Sequence, residues 1–154
     1  MAPRTFRRHT GFAASALVAA WLAIGAPAAA ADIYVLSAAA MQSVFKEIVG
    51  DFERMTEHKV VIRYADLGAP IARTLPDETA DLIIGSRQLI SDLARQGRIR
   101  PEIQLTICKT NGGIVMSTGI PRDAPESEVT SAFVAFLVSA KAVAVMKAKG
   151  MDVD

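Results

Sequence analysis

Residues that usually carry chemistry are scarce in this sequence, and each shortage excludes a class of protein. The 154 residues include one cysteine and two histidines, and the formal net charge is only +1. A single cysteine, Cys108, cannot form an internal disulfide. With His9 and His58 as the only histidines, no cluster of His, Cys and carboxylate indicates a metal site. The near-neutral charge, without a run of Lys or Arg beyond the N-terminus, argues against nucleic-acid binding.

Enzymatic motifs are also missing. No serine, cysteine or lysine nucleophile is paired with a base in any pattern that we recognise. The Asn-Gly-Gly turn in Thr110–Ile114 lacks the Lys-Ser or Lys-Thr of a phosphate-binding loop. The chain is therefore predicted not to be an enzyme, with no catalytic residue and no cofactor. Cys108 is interpreted as a small buried apolar residue.

Apolar residues, by contrast, are abundant at 51%, and the N-terminus accounts for many of them. Three arginines among the first eight residues precede an apolar run over 11–24 and a stretch of small residues that ends at Ala31. This is the layout of a secretory signal peptide. Gly25 and Pro27 shorten the apolar run, which favours a cleaved signal over a retained membrane anchor.

Cleavage is predicted after Ala30 or Ala31. The chain then divides into a signal peptide, 1–31, and a single lobe, 32–154, which is close to the usual size of one domain. General secretion is favoured over the twin-arginine route, because the apolar residue expected soon after Arg7-Arg8 is delayed to Phe12. The predicted localisation is the periplasm.

The mature sequence alternates between predicted strands and helices. A helix starting near Met41 shows apolar residues at helical spacing, and another, about Leu89 to Gln96, is closed by Gly97. Such alternation predicts an α/β fold with a parallel sheet and flanking helices. The predicted strands are Ile33–Leu36, Val60–Tyr64 and Asp81–Ile84, with a short helix over Pro70–Leu75 and further strands in or beside Leu105 and Val115.

Two final helices are predicted in the apolar stretch near the C-terminus. Ser139 is placed as the N-cap of the second helix, and Lys141 interrupts the apolar run. Two packed helices are therefore favoured over a membrane span, and no stable span is expected after signal cleavage. The predicted core residues of these helices are Phe133, Phe136, Leu137, Val143 and Met146.

Two alanine- and glycine-containing turns follow the first two strands. Ligands of parallel α/β sheets bind beyond the carboxyl ends of the strands, near the helix N-termini. The turns "SAAAM", 37–41, and "ADLGA", 65–69, occupy this position. Their small side chains would let a ligand approach the backbone, although small residues also simply permit tight turns.

A resemblance to a known family favours the first interpretation. The stretch "ADIYVLSAAAMQSVFKEIVGDFERMTEHKVVIRYADLGAPIART", followed by "ADLIIGSRQLISDLARQGRI", resembles the N-terminal lobe of periplasmic molybdate-binding proteins of ABC importers and their extracellular solute-binding relatives. The segment from Pro101 resembles the closing part of these proteins. The resemblance implies one lobe of a type II periplasmic-binding-protein-like fold, a small-anion ligand and an ABC permease as partner.

Much of the second lobe of such proteins has no counterpart here. The pieces that flank that lobe in the family meet near Arg100 and Pro101, so the resemblance implies a deletion point at 100–101. The resemblance places candidate ligand-binding groups at Ser37, Ala39, Ala40, Gly68 and Ala69.

The predicted site nevertheless lacks donors that molybdate binders use. Ala40 and Gly68 stand where those proteins have serine hydroxyls, and Asp66 would repel an anion. We therefore expect a small anion bound weakly. The alternative is a truncated, non-binding remnant of such a protein, and neighbouring permease and ATPase genes would favour the first possibility.

Overall fold

A computed structural model describes residues 30–66, 80–125 and 127–153. The predicted signal peptide falls almost entirely outside these ranges, as does the predicted helix Pro70–Leu75, so both stay predictions. The described elements are β1 (Asp32–Ala38), a 3-10 turn (Ala39–Met41), α1 (Gln42–Thr56), β2 (Lys59–Ala65), β3 (Leu82–Ser86), α2 (Arg87–Arg95), β4 (Ile99–Lys109), β5 (Val115–Pro121), α3 (Glu128–Leu137) and α4 (Ala140–Ala148).

The strands form one five-stranded sheet in the order β2-β1-β3-β5-β4. Strand β1 is parallel to both β2 and β3, which confirms the predicted arrangement of the first three strands and the α/β fold class. Their carboxyl ends therefore meet at one edge. The strands predicted at Leu105 and Val115 are β4 and β5, and β5 is antiparallel to both neighbours. This reversal follows from the short turn at Thr110–Ile114, where Gly113 has a φ of +80°.

One face of the sheet is covered by α1, α3 and α4, which bury the larger apolar cluster. Three phenylalanines form its centre: the rings of Phe52 and Phe133 lie 5.0 Å apart, and those of Phe45 and Phe133 lie 6.3 Å apart. All three side chains are almost completely buried. The helical spacing of apolar residues that predicted α1 is thus explained by this contact with the sheet and α3.

The opposite face is covered, among the described residues, by α2. Leu89, Ile90 and Leu93 of this helix are buried against the sheet. The helix begins two residues before the predicted start, because the Ser86 side chain accepts a hydrogen bond from the Leu89 N–H at 3.2 Å and caps the first turn. Gly97 follows the helix with a φ of +70°, as its position predicted.

The two C-terminal helices confirm most of their prediction. Ser139 caps α4 by accepting from the Ala142 N–H. The predicted core residues Phe133, Phe136, Leu137 and Met146 are buried, but Val143 is only half-buried and Ala142 takes the buried position instead. In the described part of the chain no single helix could cross a membrane, whereas α3 and α4 together have the length and composition but are bent by 50°.

Acidic residues of α1 contact neighbouring elements. The Asp51 carboxylate forms ion pairs with Arg54 and with Lys141 of α4. The hydrogen bond from Lys141 and its positive charge hold the pKa of Asp51 below its usual value. Glu53 accepts a hydrogen bond from the Val60 N–H at 3.0 Å. These contacts connect α1 to α4 and β2.

Strand β4 is irregular near its beginning. Ile99 lies opposite Pro121 and Gln104 lies opposite Gly119, so four residues of β4 face the single residue Ile120. Such an insertion is larger than a simple β-bulge and interrupts the ladder. It includes Arg100 and Pro101, and proline is tolerated in strands at bulges of this kind.

Candidate functional site

A cleft of about 780 Å³ lies at the edge where β1, β2 and β3 end. The turn after β1 forms one side of the cleft and the first two turns of α2 form another. The beginning of β5 contributes an apolar part of the wall. The lining residues are Ala38, Ala39, Ala40, Ala65, Asp66, Ser86, Arg87, Gln88, Ser91, Asp92, Arg95, Ile114, Val115 and Met116.

The alanine-rich turn is open to this cleft. Ala39 and Ala40 are exposed and form a 3-10 turn before α1, and Ala38 provides no side-chain cap. Without larger side chains, the backbone of this turn can be approached by a ligand. The structure thus brings two of the predicted site residues, Ala39 and Ala40, to the cleft.

The other predicted site residues are placed differently or lie outside the described chain. Ser37 is fully buried, does not line the cleft, and its hydroxyl donates to the Ala38 carbonyl at 3.2 Å. Gly68 and Ala69 are outside the described residues. All five assignments therefore stay predictions about ligand contact.

Three cleft residues at the start of α2 were not predicted. Ser86 ends β3, and Arg87 and Gln88 begin α2, so the helix N-terminus faces the cleft. The first N–H groups of a helix lack acceptors within the helix and favour anions. The sequence "IIGSRQ" could have predicted these residues, because it forms the third strand-to-helix turn at the same sheet edge as the two predicted turns.

Side chains of both charges line the cleft, and some of them already have partners within the protein. Arg95 forms an ion pair with Asp92, and the Arg87 Nη2 donates to the Thr106 hydroxyl at 3.0 Å. Asp66 adds a negative charge across the cleft. Arg87, Asp92 and Arg95 lie on the face of α2 that forms a wall of the cleft.

No metal-binding group appears at this site. Among residues 30–66, 80–125 and 127–153, no three His, Cys, Asp or Glu side chains lie close enough together to hold a metal ion. The His58 Nδ1 instead accepts a hydrogen bond from the Ala31 N–H at 3.0 Å. The polar side chains that line the cleft can form hydrogen bonds and ion pairs with a ligand.

Comparison with known proteins decides the family. The model of the bacterial extracellular solute-binding protein family matches residues 33–121, which is more than half of the chain. The chain belongs to this family. The match includes β1 to β5 and therefore every strand that forms the cleft. No curated protein matches the chain.

Solved structures show the same fold. The periplasmic molybdate-binding protein of Azotobacter vinelandii is 14% identical with a TM-score of 0.69, and the match covers 79% of this chain and 99% of that one. A substrate-binding domain assigned to a molybdenum ABC transporter of Clostridium difficile is 8% identical with a TM-score of 0.70, covering 81% and 100%. Peb3 of Campylobacter jejuni is 11% identical with a TM-score of 0.60, covering 80% and 100%.

The fold of this extracellular solute-binding protein is therefore that of one lobe of periplasmic binding proteins. At these identities the likeness concerns the fold alone. The single described sheet, with its cleft at the carboxyl edge, agrees with the lobe that the sequence resemblance implied.

Proposed function

We propose that this chain is the periplasmic solute-binding component of an ABC importer and that it binds a small anion weakly. Family membership supports a solute-binding role, and the N-terminal layout of the sequence supports export. An ABC permease is then the expected partner. The observation that carries the proposal is the cleft of about 780 Å³ at the carboxyl edge of the parallel strands.

The ligand class follows from the groups that face the cleft. The open backbone of Ala39 and Ala40, the N-terminus of α2 and the guanidinium of Arg87 all favour negative charge. A related observation comes from a structural neighbour: PEB3, 11% identical with a TM-score of 0.59, has been solved with L-phospholactate bound. We therefore infer a small oxyanion or organic phosphate as the ligand class.

Weak affinity follows from three features of the same cleft. Asp66 and Asp92 repel an anion, and Arg95 is already paired with Asp92. No serine hydroxyl replaces those that molybdate binders have at the positions of Ala40 and Gly68. A single lobe also leaves one side of the ligand in water, which weakens every remaining hydrogen bond.

The bulge in β4 supports the proposed division of the chain. The chain is one lobe over 32–154 in this proposal, with the deletion point near 100–101. A bulge of four residues against one lies at Arg100 and Pro101, where two sequence segments of the family meet. Loss of an intervening lobe would join two chain segments within β4. Because the register of β4 with β5 is set by separate contacts before and after the junction, residues in excess of the ladder would remain at the junction as a bulge.

Calorimetric titration of the purified protein with molybdate, tungstate, sulfate, phosphate and phospholactate tests the proposal. We expect no binding at micromolar ligand and saturable binding of at least one anion near millimolar concentration, since each lost 1.4 kcal/mol weakens affinity about tenfold. Arg87→Gln should abolish this binding. Arg54→Gln, which removes an exposed arginine of α1 away from the cleft, should leave it unchanged.

Three other outcomes would change the conclusion. No binding of any anion up to high millimolar concentration would favour the non-binding remnant. Micromolar binding by a monomer would show that one lobe suffices, and binding confined to a dimer would mean that a second copy replaces the missing lobe.

A further inference from the structure

Three sulfur atoms meet in the core, away from the cleft. The Cys108 Sγ lies 3.6 Å from the Met151 Sδ and 3.9 Å from the Met41 Sδ. All three residues are buried, with exposed fractions of 0% for Met41, 3% for Cys108 and 9% for Met151. A thiol flanked by two thioethers is a set of soft metal ligands.

Each sulfur comes from a different part of the chain. Met41 ends the 3-10 turn before α1, Cys108 lies near the end of β4, and Met151 follows α4. The C-terminal segment is held to β4 by two backbone hydrogen bonds: the Lys109 N–H donates to the Asp152 carbonyl at 2.7 Å, and the Asp152 N–H donates to the Lys109 carbonyl at 2.9 Å. This bridge keeps Met151 beside Cys108.

The distances from the Cys108 sulfur to the two thioethers are close to those expected around a shared ion. A metal–sulfur bond is about 2.3 Å long, so three sulfurs arranged in a plane around one ion are about 4.0 Å apart. The observed separations of 3.6 and 3.9 Å from Cys108 are slightly shorter than this value. Small rotations of the two flexible methionine side chains would open the space for an ion.

We propose that Met41, Cys108 and Met151 form a binding site for a soft monovalent cation of the Cu(I) class. Thiolate and thioether ligands select Cu(I) over harder ions. Charge selects in the same direction: one thiolate neutralises a monovalent ion, whereas a divalent ion would leave a net positive charge in an apolar core. On binding, the Cys108 S–H bond breaks, its proton passes to water and a sulfur–metal bond forms, without transfer of an electron.

A second cavity lies beside Cys108. It has a volume of about 360 Å³, and Cys108 lines it together with Val143, Asp152 and Val153. Burial raises the pKa of the Cys108 thiol to about 11, so the metal-free protein holds a neutral thiol.

The test is a titration of the reduced, purified protein with Ag(I), followed by native mass spectrometry, and with Cu(I) in competition with a chromophoric chelator. We expect one ion per chain, and Zn²⁺ should not compete. Cys108→Ala should abolish this binding. Mutating a residue that only supports a metal ligand costs about 10- to 100-fold in metal affinity. Removing a ligand itself should cost at least as much, so Met41→Leu and Met151→Leu should each weaken binding of the ion at least about tenfold.

The control is Met55→Leu, because Met55 is 68% exposed and carries the same thioether outside the cluster. Circular dichroism of each variant shows whether it has folded, and X-ray absorption of the loaded wild type should show three sulfur neighbours around the metal. Equal affinity of wild type and Cys108→Ala would overturn the proposal. So would an affinity that Met55→Leu lowers as much as Met41→Leu does.

Discussion

The two faces of the sheet differ in how much apolar structure covers them. Helices α1, α3 and α4 cover one face and bury three phenylalanines, together with many aliphatic and sulfur-containing side chains. The other face has, among the described residues, a cluster of six buried apolar residues, three of which come from α2. The first face therefore contributes most of the burial that stabilises the described part of the fold.

The face that buries most of the apolar residues is not the face whose helix lines the cleft. Helix α2, on the thinner face, also supplies Ser86, Arg87 and Gln88 to the cleft. The cleft wall is thus carried by a helix that packs on the smaller of the two apolar clusters. The sulfur cluster, by contrast, belongs to the thicker face. Substitutions on the two faces can test this separation.

The largest effect is expected for Phe133→Ala. The Phe133 ring is fully buried and contacts both Phe45 and Phe52, so its loss leaves a cavity at the centre of the thicker face. We expect the free energy of unfolding to fall by about 3–5 kcal/mol, measured by urea denaturation. Met55→Ala, at a largely exposed position, should change it by less than about 0.5 kcal/mol. A loss below about 1 kcal/mol for Phe133→Ala would contradict this account.

A matched pair of leucines compares the two faces directly. Leu137 and Leu93 are 0% and 1% exposed, on the thicker and thinner face respectively. Leucine-to-alanine changes cost about 2–5 kcal/mol, depending on how far the surroundings can collapse. We expect Leu137→Ala near the upper end and Leu93→Ala near about 2 kcal/mol, from chemical denaturation of both variants. Equal losses would mean that the two faces are equally rigid.

Helix caps should give smaller, similar effects on both faces. Ser139 caps α4 and Ser86 caps α2, each through its side-chain oxygen. Replacing either serine by alanine removes one capping hydrogen bond, which costs about 1 kcal/mol. Ser86→Ala should also weaken anion binding, whereas Ser139→Ala should not, because only Ser86 lines the cleft. Thermal unfolding and calorimetry measure the two effects, and equal anion affinity in both variants would disprove the difference.

The smallest effect concerns the Asp51–Lys141 ion pair on the thicker face. The pKa of Asp51 is lowered from 3.8, chiefly by the hydrogen bond from Lys141. A lowered carboxyl pKa stabilises the fold at pH values above 3.8, and this contribution is lost as the pH falls through the folded-state pKa. The urea midpoint of Lys141→Gln should lie slightly below that of the wild type near neutral pH and converge with it in acid. A gap that widens below pH 3.8 would contradict the assignment.

Local patterns in the sequence were sufficient for much of this fold. Apolar spacing predicted α1, alternation predicted the parallel arrangement of β1, β2 and β3, and Ser139 and Gly97 predicted helix boundaries. Each of these signals acts within a few residues, so it can be read without tertiary contacts. The family resemblance likewise depended on such short segments and was confirmed by the family match.

Two of the residues that line the cleft were also predicted as site residues, and the ones that were missed show the limit of local patterns. Ala39 and Ala40 follow β1 at the edge that parallel strands share, and they line the cleft. Arg87 was not predicted, since an exposed charge on a helix has the same local pattern whether it faces water or a cleft. Only the position of α2 beside the alanine turn distinguishes the two.

The sequence by itself determined the order of strands and helices, the caps and the small residues at the ends of β1 and β2. These follow from backbone preferences and from apolar spacing, both of which are local. The tertiary structure alone decided that Ala142 is buried while Val143 is half-buried. It also decided that Asp51 connects α1 to α4, and that the sulfur atoms of Met41, Cys108 and Met151 lie close together. Those contacts join residues far apart in the chain, and their distances depend on how helices and strands pack in three dimensions.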